Sequence, residues 1–103
     1  MLINLYDTEV PADGEIFQTL LHAKHLRIEL IVSSEEPEER LYDQPHDEAV
    51  LLLDGCASLW IDGRVVALQP GDFLLIPART PHKVIRTDPG TRWLAIHSEE
   101  KLC

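Results

Sequence analysis

Residues 71–82 read Gly-Asp-Phe-Leu-Leu-Ile-Pro-Ala-Arg-Thr-Pro-His, and this stretch decides the fold. A glycine opens it, a short apolar run follows, and two prolines precede the closing histidine. Short apolar runs bounded by Gly and Pro are typical of strands, whereas helices need longer periodic segments. The stretch therefore predicts a strand over residues 73–76 and then a turn that carries His82 towards the next strand.

Residues that favour turns recur along the rest of the chain. Turn signals recur at intervals of about 8 to 12 residues, a spacing typical of β-sandwiches and barrels. The predicted strands cover residues 2–6, 15–21, 26–33, 41–44, 49–53, 57–61, 65–68, 73–76, 83–87 and 92–97. Residues 15–25 also fit a helical period, so a helical turn there is a second interpretation. Asp62-Gly63 predicts a tight hairpin, because Gly adopts the positive φ that a two-residue primed turn requires.

Length and charge limit the class of protein. A chain of 103 residues is long enough for one small all-β domain. Its 18 acidic residues outnumber 9 basic ones, and the net charge of −9 disfavours nucleic acid and anionic membrane surfaces as partners. No apolar run reaches the roughly 20 residues that span a bilayer, and the first residues do not resemble a secretory signal, so we expect a cytoplasmic protein. Cys56 and Cys103 lack metal-type spacing and receive no role.

One predicted strand is apolar on both of its faces. Residues 49–53 read Ala-Val-Leu-Leu-Leu, so the face that points away from the barrel interior also needs cover. The cover would come from the second sheet, from the N-terminal segment or from another copy of the chain. We expect a homodimer, because a small barrel with an apolar outer face is often buried in that way.

The spacing within residues 71–86 resembles the second motif of the cupin superfamily. That motif has Gly, five residues, Pro, one residue, Gly, two residues, His, three residues and Asn. Gly71, Pro77 and His82 fall at these spacings, while Arg79 stands at the second glycine and Arg86 at the asparagine. The resemblance implies a double-stranded β-helix, an RmlC-like jelly-roll barrel, over residues 26–98, preceded by an N-terminal segment over residues 1–25.

The first cupin motif is matched only in its second half. Glu48 and Gly55 have the required interval of six residues, but Gln44 and Tyr42 stand where two histidines usually precede the glutamate. The chain looks most like small single-domain bacterial cupins that have no assigned substrate. Cupins range from oxygenases and isomerases to storage and sensing proteins, so the resemblance implies a fold and not a reaction.

Strand parity indicates which side chains share the cavity face. Side chains alternate along a strand, so His46, Gln44 and Tyr42 would point inward together with Glu48. This argument requires a regular strand between residues 42 and 48. Pro45 favours an interruption instead, because it cannot donate a hydrogen bond to the ladder.

A metal site is the first interpretation of these residues. His46, Glu48 and His82 would supply two imidazoles and one carboxylate, a set that binds Fe(II), Mn(II), Ni(II) or Zn(II), and Gln44 would add a neutral oxygen. Tyr42 is the candidate proton donor for catalysis. If the protein is an enzyme, the resemblance implies oxygenase, isomerase or lyase chemistry on a small organic acid or a related metabolite.

Other interpretations remain open. Without metal, Glu48 and His82 would form a polar pair in a barrel that binds or senses a neutral or cationic small molecule without catalysis, or they would belong to a purely structural network. The chain would otherwise work by associating with another protein. Arg79 would meet a substrate carboxylate or pair with a nearby acid. His97 would face the cavity or bond to the backbone.

Overall fold

The computed structural model describes residues 2–102, and this part of the chain forms eight β-strands and no helix. The strands are β1 (Glu15–His22), β2 (Leu26–Ser33), β3 (Asp47–Asp54), β4 (Ala57–Ile61), β5 (Arg64–Leu68), β6 (Phe73–Ile76), β7 (His82–Thr87) and β8 (Thr91–Ser98). No helix long and apolar enough to cross a bilayer therefore occurs between residues 2 and 102. Cys56 is exposed and free, and Cys103 lies outside the described residues.

Two antiparallel sheets face each other and enclose the core. The larger sheet has the strand order β1-β2-β8-β3-β6, and the smaller one has the order β5-β4-β7. Buried apolar side chains from both sheets form the core between them: Val50, Leu52, Ala57, Leu59, Leu68, Ile76 and Trp93. The predicted all-β, jelly-roll-like barrel is confirmed.

Residues 71–82 fold as predicted. Its apolar run is β6, which pairs with β3 in the larger sheet, and His82 is the first residue of β7 in the smaller sheet. Residues 77–81 therefore cross from one sheet to the other. Their backbone is held in place by Asp47, whose Oδ1 accepts a hydrogen bond of 2.7 Å from the Ala78 amide.

The predicted strand over residues 2–6 is wrong. The segment turns instead: the Asn4 carbonyl accepts the Asp7 amide at 3.2 Å, and the Asn4 side chain accepts the Tyr6 amide at 2.9 Å. The segment is tied to the barrel by Arg92, whose guanidinium donates to the carbonyls of Tyr6 and Thr8 at 3.3 and 2.7 Å. An asparagine that satisfies its own backbone favours a turn over a ladder, which the apolar pattern alone did not reveal.

The predicted strand over residues 41–44 is also wrong. Only an isolated bridge forms there, between Tyr42 and His82. The chain bends at Pro45 and His46 before β3 begins. Pro45 has no amide proton to continue a ladder, so a strand cannot extend through this position into β3.

Strand pairing and backbone φ values test the predictions for residues 15–25 and for the Asp62-Gly63 turn. Residues 15–22 form the edge strand β1, which pairs with β2 and contains an irregularity between Thr19 and Leu21, so the helical alternative is wrong. Asp62 and Gly63 have φ values of 45° and 91°, the two positive values of a primed hairpin turn. The predicted β4–β5 hairpin is confirmed.

Gly55 occupies a position that no other residue fits. Its φ is +87°, and a Cβ placed on it would lie 2.7 Å from the Cα of Thr91. The Thr91 hydroxyl is itself held by the carbonyls of Cys56 and Asp88 at 3.1 and 2.7 Å. Backbone therefore closes on Gly55 and cannot move away at low cost, which explains why the motif has glycine here.

We expect Gly55→Ala to lower the free energy of unfolding by about 2 to 4 kcal/mol, because it adds steric overlap to the cost of a positive φ. Gly63→Ala is the matched control. Gly63 also has a positive φ, but a Cβ there would meet no atom within 4 Å, so only the backbone cost of about 1 kcal/mol applies. Urea unfolding of both variants measures the difference, and equal losses would contradict the steric explanation.

Candidate functional site

A cavity of about 70 Å³ lies inside the barrel and is lined by both sheets. One part of its wall is apolar, and a group of polar side chains converges on the rest. The apolar lining consists of Phe17, Ile31, Val50, Leu59, Ile76, Val84 and Trp93, and the polar lining consists of Glu15, Glu29, Tyr42, Gln44, Glu48, His82 and His97. An apolar pocket with a few convergent polar groups is the usual form of a small-molecule site.

Glu48 and His82 meet in this cavity from opposite sheets. Glu48 Oε1 lies 3.7 Å from His82 Nε2, and both residues are only 7% exposed. The same carboxylate oxygen accepts a hydrogen bond of 2.8 Å from Gln44 Nε2. Three of the four predicted metal ligands are therefore neighbours in the cavity wall.

The His82 ring is held in one orientation. Its Nδ1 lies 2.9 Å from the Thr80 carbonyl, which can only accept, so Nδ1 carries a proton and Nε2 faces Glu48. The Tyr42 ring stacks on it at 5.5 Å between centroids, and the backbones of Tyr42 and His82 exchange hydrogen bonds of 2.8 and 3.0 Å. Tyr42 therefore positions His82 although it lies outside any strand.

The contact between Glu48 and His82 favours the charged form of each group. Burial acts to raise the pKa of Glu48, but the contacts with His82, His97 and Gln44 outweigh it and hold that pKa below its usual value. Burial acts to lower the pKa of His82, but Glu48 and the Thr80 carbonyl outweigh it and hold that pKa above its usual value. The contact therefore favours a buried carboxylate beside a protonated imidazole.

His46 does not join the cavity lining. The prediction that His46 points inward with Glu48 assumed a regular strand, and the bend at residues 45–46 interrupts that alternation of side chains. The Nε2 atom of His46 instead lies 2.9 Å from His97 Nδ1. Between residues 2 and 102, no three or more His, Cys, Asp or Glu side chains are grouped so that they could hold a metal ion. The structure thus brings together Gln44, Glu48 and His82 and leaves His46 behind His97.

His97 and Glu29 complete the polar wall. His97 Nε2 lies 2.9 Å from Glu29 Oε1, and His97 Nδ1 lies 4.0 Å from Glu48 Oε1. His97 therefore faces the cavity and bonds to a side chain. The sequence analysis did not include Glu29 among the candidate site residues. A glutamate between Ile28 and Leu30 in an apolar strand nevertheless indicates a buried carboxylate that needs a hydrogen-bond partner.

Arg79 lies outside the cavity. Its guanidinium is 3.6 Å from the Asp43 carboxylate, and both side chains are largely exposed. Its φ is +60°, which explains why the motif usually has glycine at this position. The interpretation in which Arg79 pairs with a nearby acid agrees with this position.

Three carboxylates, those of Glu15, Glu29 and Glu48, line the cavity. Burial is the main reason that the pKa of Glu15 is raised. Burial also raises the pKa of the Tyr42 phenol, so this hydroxyl keeps its proton and acts as a donor at neutral pH. The cavity is therefore rich in hydrogen-bond acceptors and acidic side chains, and the contact with Glu48 favours the charged form of His82.

Comparisons with known proteins agree with this architecture. The family model described as a cupin domain matches residues 28–97, so the chain belongs to the cupin family. The structure of a candidate mannose-6-phosphate isomerase from Ralstonia eutropha is similar at a TM-score of 0.88 and 39% identity, covering 97% of this chain and 99% of that one. A cupin superfamily protein from Desulfitobacterium hafniense shares the fold at a TM-score of 0.83 and 21% identity, covering 93% and 87% of the two chains.

A curated relative matches over a shorter region. Quercetin 2,3-dioxygenase of Bacillus subtilis is 42% identical over 57 residues, which is 52% of this chain and 17% of that enzyme. The chain thus corresponds to a small part of the dioxygenase.

We expect the Glu48–His82 pair to stabilise the fold most between pH about 4.5 and 6.5, the ordinary pKa values of the two groups. The His82 contribution is present below its unfolded pKa and is lost as pH rises through the raised folded pKa. The Glu48 contribution is present above its unfolded pKa and is lost as pH falls through the lowered folded pKa. In Glu48→Gln, the folded His82 pKa should fall, as measured by NMR titration of the imidazole signals.

Glu99→Gln serves as the control for this titration, because Glu99 is an exposed acid that contacts His25 and not His82. It should leave the His82 pKa unchanged. An unchanged His82 pKa in Glu48→Gln would show that the pair is not electrostatically coupled.

Proposed function

We propose that the barrel cavity binds a small organic molecule that is neutral or positively charged, with Glu48 and His82 as its polar anchor. The observation that carries this proposal is the acidic lining: three carboxylates face one cavity. An anionic ligand would meet repulsion there in surroundings of low dielectric constant. The charge therefore argues against the small organic acid that the family resemblance implied.

The chemistry of the wall supports hydroxyl or amine recognition. Glu48 would accept hydrogen bonds from such groups, while His82 Nε2 and the Tyr42 hydroxyl would donate. Trp93 and Phe17 offer apolar surface beside these polar groups. A small neutral polyol or amine meets this description and suits a cavity of about 70 Å³.

The same residues have the means to move a proton. The raised pKa of His82 favours a proton on the ring beside the Glu48 carboxylate, and the Tyr42 phenol stacks on that ring. Positioned acid and base groups of this kind serve general acid–base catalysis. Tyr42 is therefore the candidate catalytic residue if the protein is an enzyme. The binding proposal itself does not require catalysis.

A divalent metal is the second candidate ligand, and one observation favours it. The His82 ring donates Nδ1–H to a backbone carbonyl and turns Nε2 towards a carboxylate, which is how metal-binding histidines are usually oriented. His82, Glu48 and Gln44 would hold Fe, Mn, Ni or Zn. The ion would supply Lewis acidity to a bound oxygen. His46 would not bind this ion directly, because it contacts His97 and not the three candidate ligands.

A thermal-shift screen of neutral, cationic and anionic metabolites tests the first proposal. We expect neutral or cationic compounds to stabilise the protein by about 2.7 kcal/mol at a hundredfold excess over Kd, and anionic ones not to do so. Glu48→Gln should abolish the shift, because it removes the anchoring carboxylate. Glu35→Gln removes an equal charge from an exposed loop and should preserve the shift.

Elemental analysis of the same protein, purified without chelator or affinity metal, separates the two candidates. The first proposal expects transition metal at background level. About one equivalent of metal that is lost in His82→Ala would support the second candidate instead. Stabilisation by anionic compounds alone, with no metal present, would contradict both.

The partner proposed for the outer face of the larger sheet is a second copy of the chain. Cross-strand registers align two apolar rows on this face, and both rows cross four strands. The rows are Leu30, Leu94, Leu51 and Phe73, and then Ile28, Ile96, Ala49 and Leu75. Phe73 and Leu75 are 59% and 42% exposed, so the β6 end of the rows is uncovered within one chain. A self-complementary apolar face of this kind suits a symmetric dimer.

Sedimentation of Phe73→Lys tests this dimer. We expect the wild type to sediment as a dimer and the variant as a monomer, because a lysine would place charge in the apolar contact. Val65→Lys is the matched control, since Val65 is 65% exposed but lies on β5 in the smaller sheet. A monomeric wild type, or a dimer disrupted equally by both variants, would contradict the proposed face.

A further inference from the structure

A second concave site lies outside the barrel cavity, at the end of the larger sheet. We name it the end groove. It has a volume of about 200 Å³, and its lining includes His22, Lys24, His25, Arg27, His46 and His97. Four of the five histidines of the chain lie here with a lysine and an arginine, in a protein of net charge −9. Glu99 is the acidic side chain among the residues that line it.

Strand register explains how these residues come together. His22 pairs with Arg27, Arg27 pairs with His97, and His97 pairs with Glu48. One polar row therefore crosses four strands from the end groove into the cavity. His97 lines both spaces and forms the wall between them.

Arg27 is the residue of the groove with a buried polar atom that has no hydrogen-bond partner among the described residues. Its Nε is buried without a hydrogen bond, and no ion pair involves Arg27 among residues 2–102. An unpaired, partly buried guanidinium is unusual where acidic residues outnumber basic ones two to one. A permanently charged fork of donors in a concave surface attracts an oxyanion, which it can hold through two parallel hydrogen bonds.

Metal binding does not account for the groove. Four imidazoles would suit a transition metal, but within the described part of the chain no three His, Cys, Asp or Glu side chains are grouped to hold one. His25 is bonded to Glu99 at 3.0 Å, and His46 is bonded to His97 at 2.9 Å. The basic side chains left to bind a ligand are Lys24 and Arg27.

We propose that the end groove binds the oxyanion group of a small molecule, a phosphate or a carboxylate, through Arg27 and Lys24. His22 lies on the same face as Arg27 and adds an imidazole N–H donor. The walls of the groove concentrate the field of these cations, whereas the rest of the molecule is acidic. This site has the opposite charge preference to the barrel cavity and does not depend on the function proposed for that cavity.

NMR titration at constant pH and ionic strength tests the proposal, with inorganic phosphate and acetate added in separate arms. We expect saturable shifts of the amide signals of residues 22–27. Arg27→Gln should weaken binding about tenfold or more, because it removes a charged pair of hydrogen bonds, and Lys24→Gln should weaken it severalfold. Binding of phosphate alone identifies a phosphoryl ligand, and binding of both anions identifies a general oxyanion site.

Two further variants separate a built site from a general charge effect. Arg64→Gln removes an equal charge from β5, which does not line the groove, and should leave the affinity unchanged. Glu99→Gln removes the acid from the lining and should tighten binding. The absence of saturable shifts, or equal weakening by Arg64→Gln, would overturn the proposal. Lys24 lies in the exposed β1–β2 turn, so its variant keeps the test decisive if Arg27→Gln does not fold.

Discussion

The buried contact between Glu48 and His82 is the constraint on which the rest of the site depends. Glu48 comes from β3 of the larger sheet and His82 from β7 of the smaller one, so the pair joins the two sheets across the barrel. Neither charge would be tolerated alone in this environment, because an unpaired buried ion costs several kcal/mol. The neighbours of the pair follow from this need: Gln44 bonds the carboxylate, and the Thr80 carbonyl bonds the imidazole.

The pair lies in a cavity wall that contains further acidic residues. Glu29 and Glu15 add two further carboxylates to the wall, and His97 bonds to Glu29. This lining is the basis of the proposal that a neutral or cationic ligand binds there, although the family as a whole supports many chemistries.

The strand register links this interior to the surface. The row from Glu48 through His97 and Arg27 to His22 runs from negative to positive side chains along one face of the larger sheet. The cavity and the end groove therefore have opposite electrostatic character although a single histidine separates them. The other face of the same sheet carries the two apolar rows, so one sheet presents three different surfaces through the alternation of its side chains.

The sequence by itself determined the barrel class, most of the strands, the Asp62-Gly63 hairpin and the convergence of two motif residues. These features depend on local rules: the period of apolar residues, the φ freedom of glycine, and motif spacing. It also indicated Gln44 and Tyr42, because they lie at the motif positions before Glu48. Strands 2–6 and 41–44 were mistaken, because apolar composition does not show whether a segment has a partner strand.

Only the tertiary structure decided which polar groups meet. A bend at Pro45 places His46 outside the cavity. His97 and Glu29 line the cavity although their strands are far apart in the sequence. The unpaired Arg27 is likewise visible only once β1, β2 and β8 lie side by side. Strand period determines the face to which a side chain points, but the side chain that lies opposite it depends on register between distant strands, which no local pattern encodes.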